Sequence, residues 1–336
     1  MKAFLSRLFF SKYLRLAIGL IISGLSLYLA LRDVTFDQVW SALSGADWRF
    51  TLLTFTTVII SNFAKAARWK VLLGERGSRV KFSQALMSLL AGQALNALYP
   101  ARIGDLSRAY IVGGMGPGRV FAFGTVIVEK TLDMISYAFL FILLVFLIPL
   151  PNWINDSSYS FAGVTFFISA AVFISAWQRV WIVRAVEWFV AYLPTRIKGY
   201  LIPRLHSVLF SLEILQSRTE LLKLACWTAI IWGISILNNE LVLLAFGISL
   251  PLTASLLILI ALQAGISIPS VPGRIGIFEY ICVLALAVFG VGQSTAFGYG
   301  VVLHGLVLLT PILAGLVSLS ILGLSNVRAA LKNDAR

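Results

Sequence analysis

Two near-copies of one short sequence stand out as chemistry-bearing: Pro100-Ala101-Arg102-Ile103-Gly104 and Pro272-Gly273-Arg274-Ile275-Gly276. Both sit in otherwise apolar chain. Proline removes a backbone donor, glycine loosens a helix, and arginine carries a charge it does not give up. Such a break at membrane depth is tolerated only where the backbone is buried in protein or lines a cavity. A helix restarting after each break offers backbone N–H groups and a positive dipole end. Arg102 and Arg274 can add bidentate hydrogen bonds to a phosphate or carboxylate. The chemistry is anion binding, and the duplication suggests two halves of one transporter whose broken helices share a site. The plainer reading is that these arginines neutralise nearby acids and lock the broken segments.

Removing the charges assigned to loops leaves Arg102, Arg108, Arg119, Lys130 and Arg274 opposite Asp105, Glu129, Asp133, Glu240 and Glu279. A charge at the centre of a lipid-facing helix costs about 2.5–3.5 kcal/mol on the insertion scale, so these groups should face the protein interior, water or one another. Asp105 and Arg108 are three apart and share a helical face, where they can pair. Glu129 and Asp133 are four apart, two like charges on one face. They need a cation between them or a shared proton. With Lys130 they form a candidate charge relay. Asn96 precedes the first break and is expected to orient a bound anion, while Asp105 and Glu279 hold the arginines.

Other candidates carry less. His304, in the last apolar stretch, can relay protons or rest as a satisfied buried histidine, and His206 reads as solvated. Asn238-Asn239-Glu240 either lines a pathway or caps a helix. Cys226 and Cys282 both lie in apolar segments and read as small hydrophobes rather than a disulfide or metal site. No Gly-rich nucleotide loop, zinc-ligand cluster or nucleophile elbow occurs in the sequence. An enzyme, a cofactor and a metal are therefore not expected.

The elements that must position these residues follow from composition. Of 336 residues 59% are hydrophobic and 12% charged, with mean hydropathy +0.92. That is the composition of an integral membrane protein, for which about 20 mostly apolar residues make a span. The fold class expected is all-α. Twenty of the 27 Lys and Arg residues fall in 1–15, 65–81, 178–223 and 325–336, whereas 32–49 and 150–160 are acidic on balance. This alternation is the positive-inside pattern, not a nucleic-acid signature. It places both termini in the cytoplasm and anionic lipid headgroups beside the basic loops. Residues 16–31 read as a retained first helix rather than a cleaved signal.

Parity between the basic and acidic loops then favours six full spans plus two oppositely oriented re-entrant hairpins, an inverted repeat. Residues 1–150 form the first repeat with hairpin 83–116. Residues 151–336 form the second, with a cytoplasmic interfacial segment at 178–220 and hairpin 252–290. Spans are expected at 16–31, 50–64, 119–149, 161–177, 221–246 and 297–324. Eight ordinary spans with kinked third and seventh helices is the competing arrangement.

With these residues in view, the chain resembles the lysylphosphatidylglycerol synthase transmembrane-domain family, the flippase-like membrane proteins. The likeness rests on Ala67-Arg68-Trp69-Lys70-Val71-Leu72-Leu73 and on the run from Asn96 through Pro100, Arg102, Gly104 and Asp105 to Arg108. It rests also on Glu129-Lys130-Thr131-Leu132-Asp133 and on Pro269 through Pro272, Arg274 and Gly276 to Glu279. It covers about residues 15 to 325. The resemblance implies a lipid flippase or scramblase of the cytoplasmic membrane, moving a polar, phosphate-bearing lipid between leaflets. In relatives that make aminoacylated lipid a soluble aminoacyl-transfer domain follows. This sequence ends at Arg336, so lipid synthesis is not carried over. Asp105 stands where the family often has Glu, and Arg274 where a second small residue is common, which points to a different or more anionic headgroup. The alternatives are a secondary transporter of a small soluble anion and a membrane partner that positions a lipid-modifying enzyme.

Overall fold

In the computed structural model, residues 2–32, 34–99, 103–147, 195–265 and 270–334 are described, and every regular element among them is helical. The helices are α1 (Lys2–Leu31), α2 (Phe36–Ser44), α3 (Trp48–Leu73), α4 (Phe82–Leu98), α5 (Ile103–Gly113) and α6 (Arg119–Leu147). They continue as α7 (Thr195–Phe210), α8 (Arg218–Ala245), α9 (Leu252–Gly265), α10 (Ile277–Ala287) and α11 (Gln293–Asp334). Among the described residues, four stretches are long and apolar enough to cross a membrane: Trp48–Leu73, Arg119–Leu147, Arg218–Ala245 and Gln293–Gly323, with Ala17–Leu31 and Leu252–Gly265 as shorter apolar helices. The stretch within α11 has 31 residues, about 46 Å at 1.5 Å per residue, against a hydrocarbon core of about 30 Å. The expected span at 161–177 and the first part of the 178–220 segment lie outside the described residues.

One boundary read from charge is corrected. Residues 65–73 are not loop: α3 continues through Lys65, Arg68 and Lys70 to Leu73. The run Ala64-Lys65-Ala66-Ala67-Arg68 is made of strong helix formers, and Trp69, Leu72 and Leu73 are buried. The basic residues there belong to a packed helix. At its described end the 178–220 segment is helical, as expected. Helix α7 packs on α6, where Gly124 meets Val208 and Ser211.

The chain divides into two compact units, with boundaries inside α3, α4, α8 and α11 and between residues 100 and 101. One comprises residues 1–59, 97–100 and 233–310; the other comprises 60–96, 101–232 and 311–336. Each draws on both sequence halves, 1–150 and 151–336, which bears on packing and not on the repeat.

In the first unit, α9 and α10 fold back on each other, with Gly265 against Ile277 and Ile281. Gly19, Ser23, Ser26 and Ala30 form a buried small-residue face of α1, the kind of surface that lets membrane helices approach closely. It packs on α10 and its preceding turn: the Val271 N–H donates to Ser23 Oγ at 3.2 Å, and Gly276 (φ +90°) lies against the Ser23 carbonyl. A side chain at Gly276 would need both an unfavourable backbone and space that is taken.

In the second unit, α4 and α5 form the other hairpin. Gly92 lies beside Gly104 and Arg108, and the backbones of Gly92 and Gly104 touch. Behind it a core of Trp69, Leu72, Leu73, Leu89, Phe121, Ala122 and Val126 joins α3, α4 and α6. The turn after α3 is fastened by Lys70, whose Nζ donates to the carbonyls of Gly77 (2.7 Å) and Val80 (2.6 Å). Arg76 lies 3.6 Å from the ring centre of Phe210 and 5.1 Å from that of Phe121, a cation–π contact that ties the same turn to α6 and α7.

Candidate functional site

The second unit gathers the intramembrane charges around Glu129 of α6. Arg108 of α5 donates to both its oxygens, Nη1 to Oε2 at 3.0 Å and Nη2 to Oε1 at 2.9 Å. Such a bidentate pair is the strongest form of the interaction. Arg108 also reaches Asp105 at 3.2 Å, its partner three residues back on the same helix. One helical turn beyond Glu129, Asp133 receives Arg68 Nη1 at 2.8 Å, and Arg68 Nη2 stands 3.9 Å from Glu129. The like-charge pair Glu129 and Asp133 is therefore bridged by a cation, supplied by α3. Both guanidiniums are 2% exposed. Lys130 completes the group at 3.8 Å from Asp105 and 3.9 Å from Glu129, half exposed.

These positions are held by packing. Arg108 lies 4.9 Å from the ring centre of Trp69, and the Trp69 indole N–H is fixed to Thr125 Oγ1 at 3.1 Å. Arg68 Nη1 also donates to Thr228 Oγ1 of α8 at 3.3 Å. Two buried donors, Arg68 Nε and Arg108 Nε, have no hydrogen-bond partner among the described residues. Lys65 precedes Arg68 by three on α3 and shares its helical face.

Asn96 sits at the turn of this hairpin. Its Oδ1 accepts the Gly104 N–H at 2.8 Å, which occupies one of the donors that a helix start leaves open. Arg102 lies outside the described residues.

The first unit builds a separate arrangement on the second break. Pro272–Arg274 form one turn of 3₁₀ helix, with Gly273 at φ +75° and Arg274 itself at φ +59°. A left-handed arginine is uncommon, and such conformations persist where the surroundings impose them. Glu279 does not sit as a simple counter-ion to it. Its Oε2 accepts the Gly276 N–H at 2.7 Å, and its Oε1 lies 2.6 Å from His304 Nδ1 of α11. His304 Nε2 reaches the Gly273 carbonyl at 2.7 Å, and Phe278 stacks on the imidazole with centres 4.2 Å apart. In both hairpins the N–H of the glycine that closes the break is thus held by a side-chain oxygen, Asn96 in one and Glu279 in the other.

Nearby, Asn238, Asn239 and Glu240 are stitched to neighbouring helices. Thr57 Oγ1 of α3 donates to Asn238 Oδ1 at 2.6 Å. Asn239 Nδ2 donates to the Ser255 carbonyl at 2.9 Å, and Ser255 Oγ donates to Glu240 at 2.6 Å. These residues neither cap a helix nor stand open.

Of the residues singled out in the sequence, Asp105, Arg108, Glu129, Lys130 and Asp133 come together, with Asn96 at the adjoining turn. Arg274 and Glu279 belong to the other unit. Sequence reasoning missed Arg68 and Trp69, which had been counted with a basic loop. The signal was present in Glu129 and Asp133, which required a cation that neither their own helix nor α5 fully supplies. It also undervalued His304.

Comparison with known proteins places this geometry. The sequence model described as "Lysylphosphatidylglycerol synthase TM region" matches residues 16–315. A "UPF0104 membrane protein" of Methanothermobacter thermautotrophicus is 26% identical over 297 residues, 83% of this chain and 87% of that protein. A UPF0104 membrane protein of Methanocaldococcus jannaschii is 27% identical over 131 residues, 38% of this chain and 39% of the relative. The "Glycosyltransferase AglD" of Haloferax volcanii is 27% identical over 121 residues, 36% of this chain but 19% of that protein. The matched region takes in both broken motifs and the whole buried charge cluster, and the chain belongs to the lysylphosphatidylglycerol synthase TM region family.

Proposed function

We propose that the protein moves a polar, phosphate-bearing lipid between the leaflets of a membrane, as a flippase or scramblase. The observation that carries this reading is the buried cluster around Arg68 and Arg108, with a spare N–H on each guanidinium. Two buried arginines with donor capacity left over suit an anionic oxygen better than a purely structural ion pair, which would satisfy every donor. Membership of the family supports the same direction.

In this reading 83–116 and 252–290 are oppositely oriented re-entrant hairpins within six full spans of an inverted repeat. The termini are cytoplasmic, the membrane is the inner one, and anionic headgroups flank the basic loops. The headgroup enters a polar cavity while the tails stay in the bilayer. Arg102 and Arg108 meet the phosphate, and Asn96 fixes the start of α5. Asp105, Glu129, Lys130 and Asp133 keep the guanidiniums in place. No bond is made or broken in this process, so the protein acts as a transporter rather than an enzyme.

A second reading takes its support from the relative named as a glycosyltransferase: the chain serves beside a lipid-modifying enzyme, presenting or receiving its lipid. Native mass spectrometry of the full chain after gentle extraction separates the classes. Retention of phosphate-bearing lipids over neutral diacylglycerol is expected. Binding of inorganic phosphate without any lipid preference would replace lipid movement with transport of a small soluble anion. A chain that retains lipid but moves none when purified would favour the enzyme-partner reading.

A further inference from the structure

The imidazole of His304 lies between two hydrogen-bond acceptors. Gly273 offers a carbonyl oxygen, 2.7 Å from Nε2, and that oxygen can only accept. Glu279 offers Oε1, 2.6 Å from Nδ1, while its other oxygen already accepts from Gly276. A neutral imidazole carries one N–H. Either neutral tautomer beside an ionised Glu279 would leave a lone pair facing an oxygen at hydrogen-bond distance. Both contacts are satisfied only if the His304–Glu279 pair holds one extra proton, on Nδ1 or on the carboxyl.

We infer that His304 and Glu279 form a proton-binding site that latches the tip of the second hairpin to α11. The proton is the ligand. With it bound, the pair clamps Gly273 and Gly276, the two glycines of the Pro-Gly-Arg-Ile-Gly break, against the last long helix. Its loss, to water or to another base, leaves an imidazole lone pair against a carboxylate or a carbonyl. One of the two contacts must then open. Histidine suits this role because both ring nitrogens donate when it is protonated and only one does when it is neutral.

The surroundings make the pair distinctive. Phe278 covers one ring face, and the segment 17–31 of α1, which packs on α10, carries no charged residue. The other titratable or charged side chains on the elements packed here are Arg274 at the tip, Tyr280 and Cys282 of α10, Tyr299 of α11, Glu240 of α8 and the exposed Tyr28 of α1. Tyr299 donates to the Asn239 carbonyl at 3.3 Å, and Glu240 accepts from Ser255. Neither is hydrogen-bonded to His304.

The proton site stands on this geometry, while its coupling to lipid movement rests on the function proposed above. The test exploits an isostere. In Glu279→Gln the amide oxygen can still accept from Gly276, and the amide N–H can donate to Nδ1 of a neutral His304. The latch then closes without the extra proton. The full chain, carrying His206→Gln so that His304 is the only histidine, is placed in lipid nanodiscs. It is followed by nitrogen-15 NMR and by hydrogen exchange over 270–280, corrected for intrinsic exchange rates.

From acidic to alkaline pH the His304–Glu279 pair should lose one proton, and exchange over 270–280 should rise about tenfold. Glu279→Gln should show a neutral Nε2–H imidazole and closed, pH-independent exchange throughout. Unchanged His304 signals across that range, or a Glu279→Gln protein that still titrates and opens, would overturn the site. In proteoliposomes, lipid movement that changes with pH in the wild type but not in Glu279→Gln supports the coupling, and identical pH profiles refute it. Absence of lipid movement at every pH, with titration intact, would refute the flippase reading while the proton site stands.

Discussion

The bidentate contact between Arg108 and Glu129 is the arrangement on which the second unit most depends. Removing one member of a buried pair leaves an uncompensated charge, at a cost of about 3–5 kcal/mol. Arg108→Met and Glu129→Gln should each destabilise the purified chain by about that amount in a detergent unfolding assay. The double variant should lose less than the sum, as partners in direct contact do. Additive losses would show that the pair is not coupled. Arg68→Gln should also destabilise, because it strips Asp133 of its 2.8 Å contact, whereas Arg49→Gln, outside this cluster, should not. At this scale the sequence was legible within an element and opaque between elements. The three-residue spacing of Asp105 and Arg108 and the four-residue spacing of Glu129 and Asp133 revealed shared faces. Nothing local could show that the missing cation comes from α3, or that His304 would meet a carboxylate 25 positions earlier in the chain.

At the scale of elements, each hairpin depends on close backbone approach. Gly104 touches the Gly92 backbone, with Asn96 beside it. Gly104→Leu should force α4 and α5 apart and destabilise the protein by about 1–3 kcal/mol, the usual cost of overpacking. Gly233→Ala, at a position with open space around it, should be neutral or gain up to about 1 kcal/mol from helix propensity. Equal effects of the two changes would contradict the hairpin contact. The two breaks were readable because proline and glycine punctuate helices irrespective of tertiary context. Helix α2 and the extension of α3 to Leu73 were not, because charge density had been used to mark where helices end. A long basic side chain ends no helix: it can snorkel, or pair as Arg68 does with Asp133.

For the whole molecule, the proposed orientation with basic loops in the cytoplasm, together with the proposed re-entrant hairpin at 83–116, has a direct consequence. Single cysteines replacing Ser78 and Gly114, on the two flanks of that segment and both exposed, should react with a membrane-impermeant maleimide from the same, cytoplasmic, side. Reaction from opposite sides would make the segment an ordinary kinked crossing and favour eight spans. Helical class and long apolar spans were readable from composition, since burial in lipid demands both. The division into compact units that each draw on both halves of the chain was not, because packing partners distant in sequence leave no local trace.

The central claim is the proposed capture of a lipid phosphate by arginine side chains, and lipid translocation tests it most directly. Purified chain is reconstituted into proteoliposomes carrying a fluorescent phosphate-bearing lipid, and the rate at which that lipid reaches the opposite leaflet is followed. Replacing both Arg102 and Arg274 by Gln should slow movement at least about tenfold, some 1.4 kcal/mol, with the protein still folded by its unfolding midpoint. Wild-type rates in the folded double variant would contradict the account.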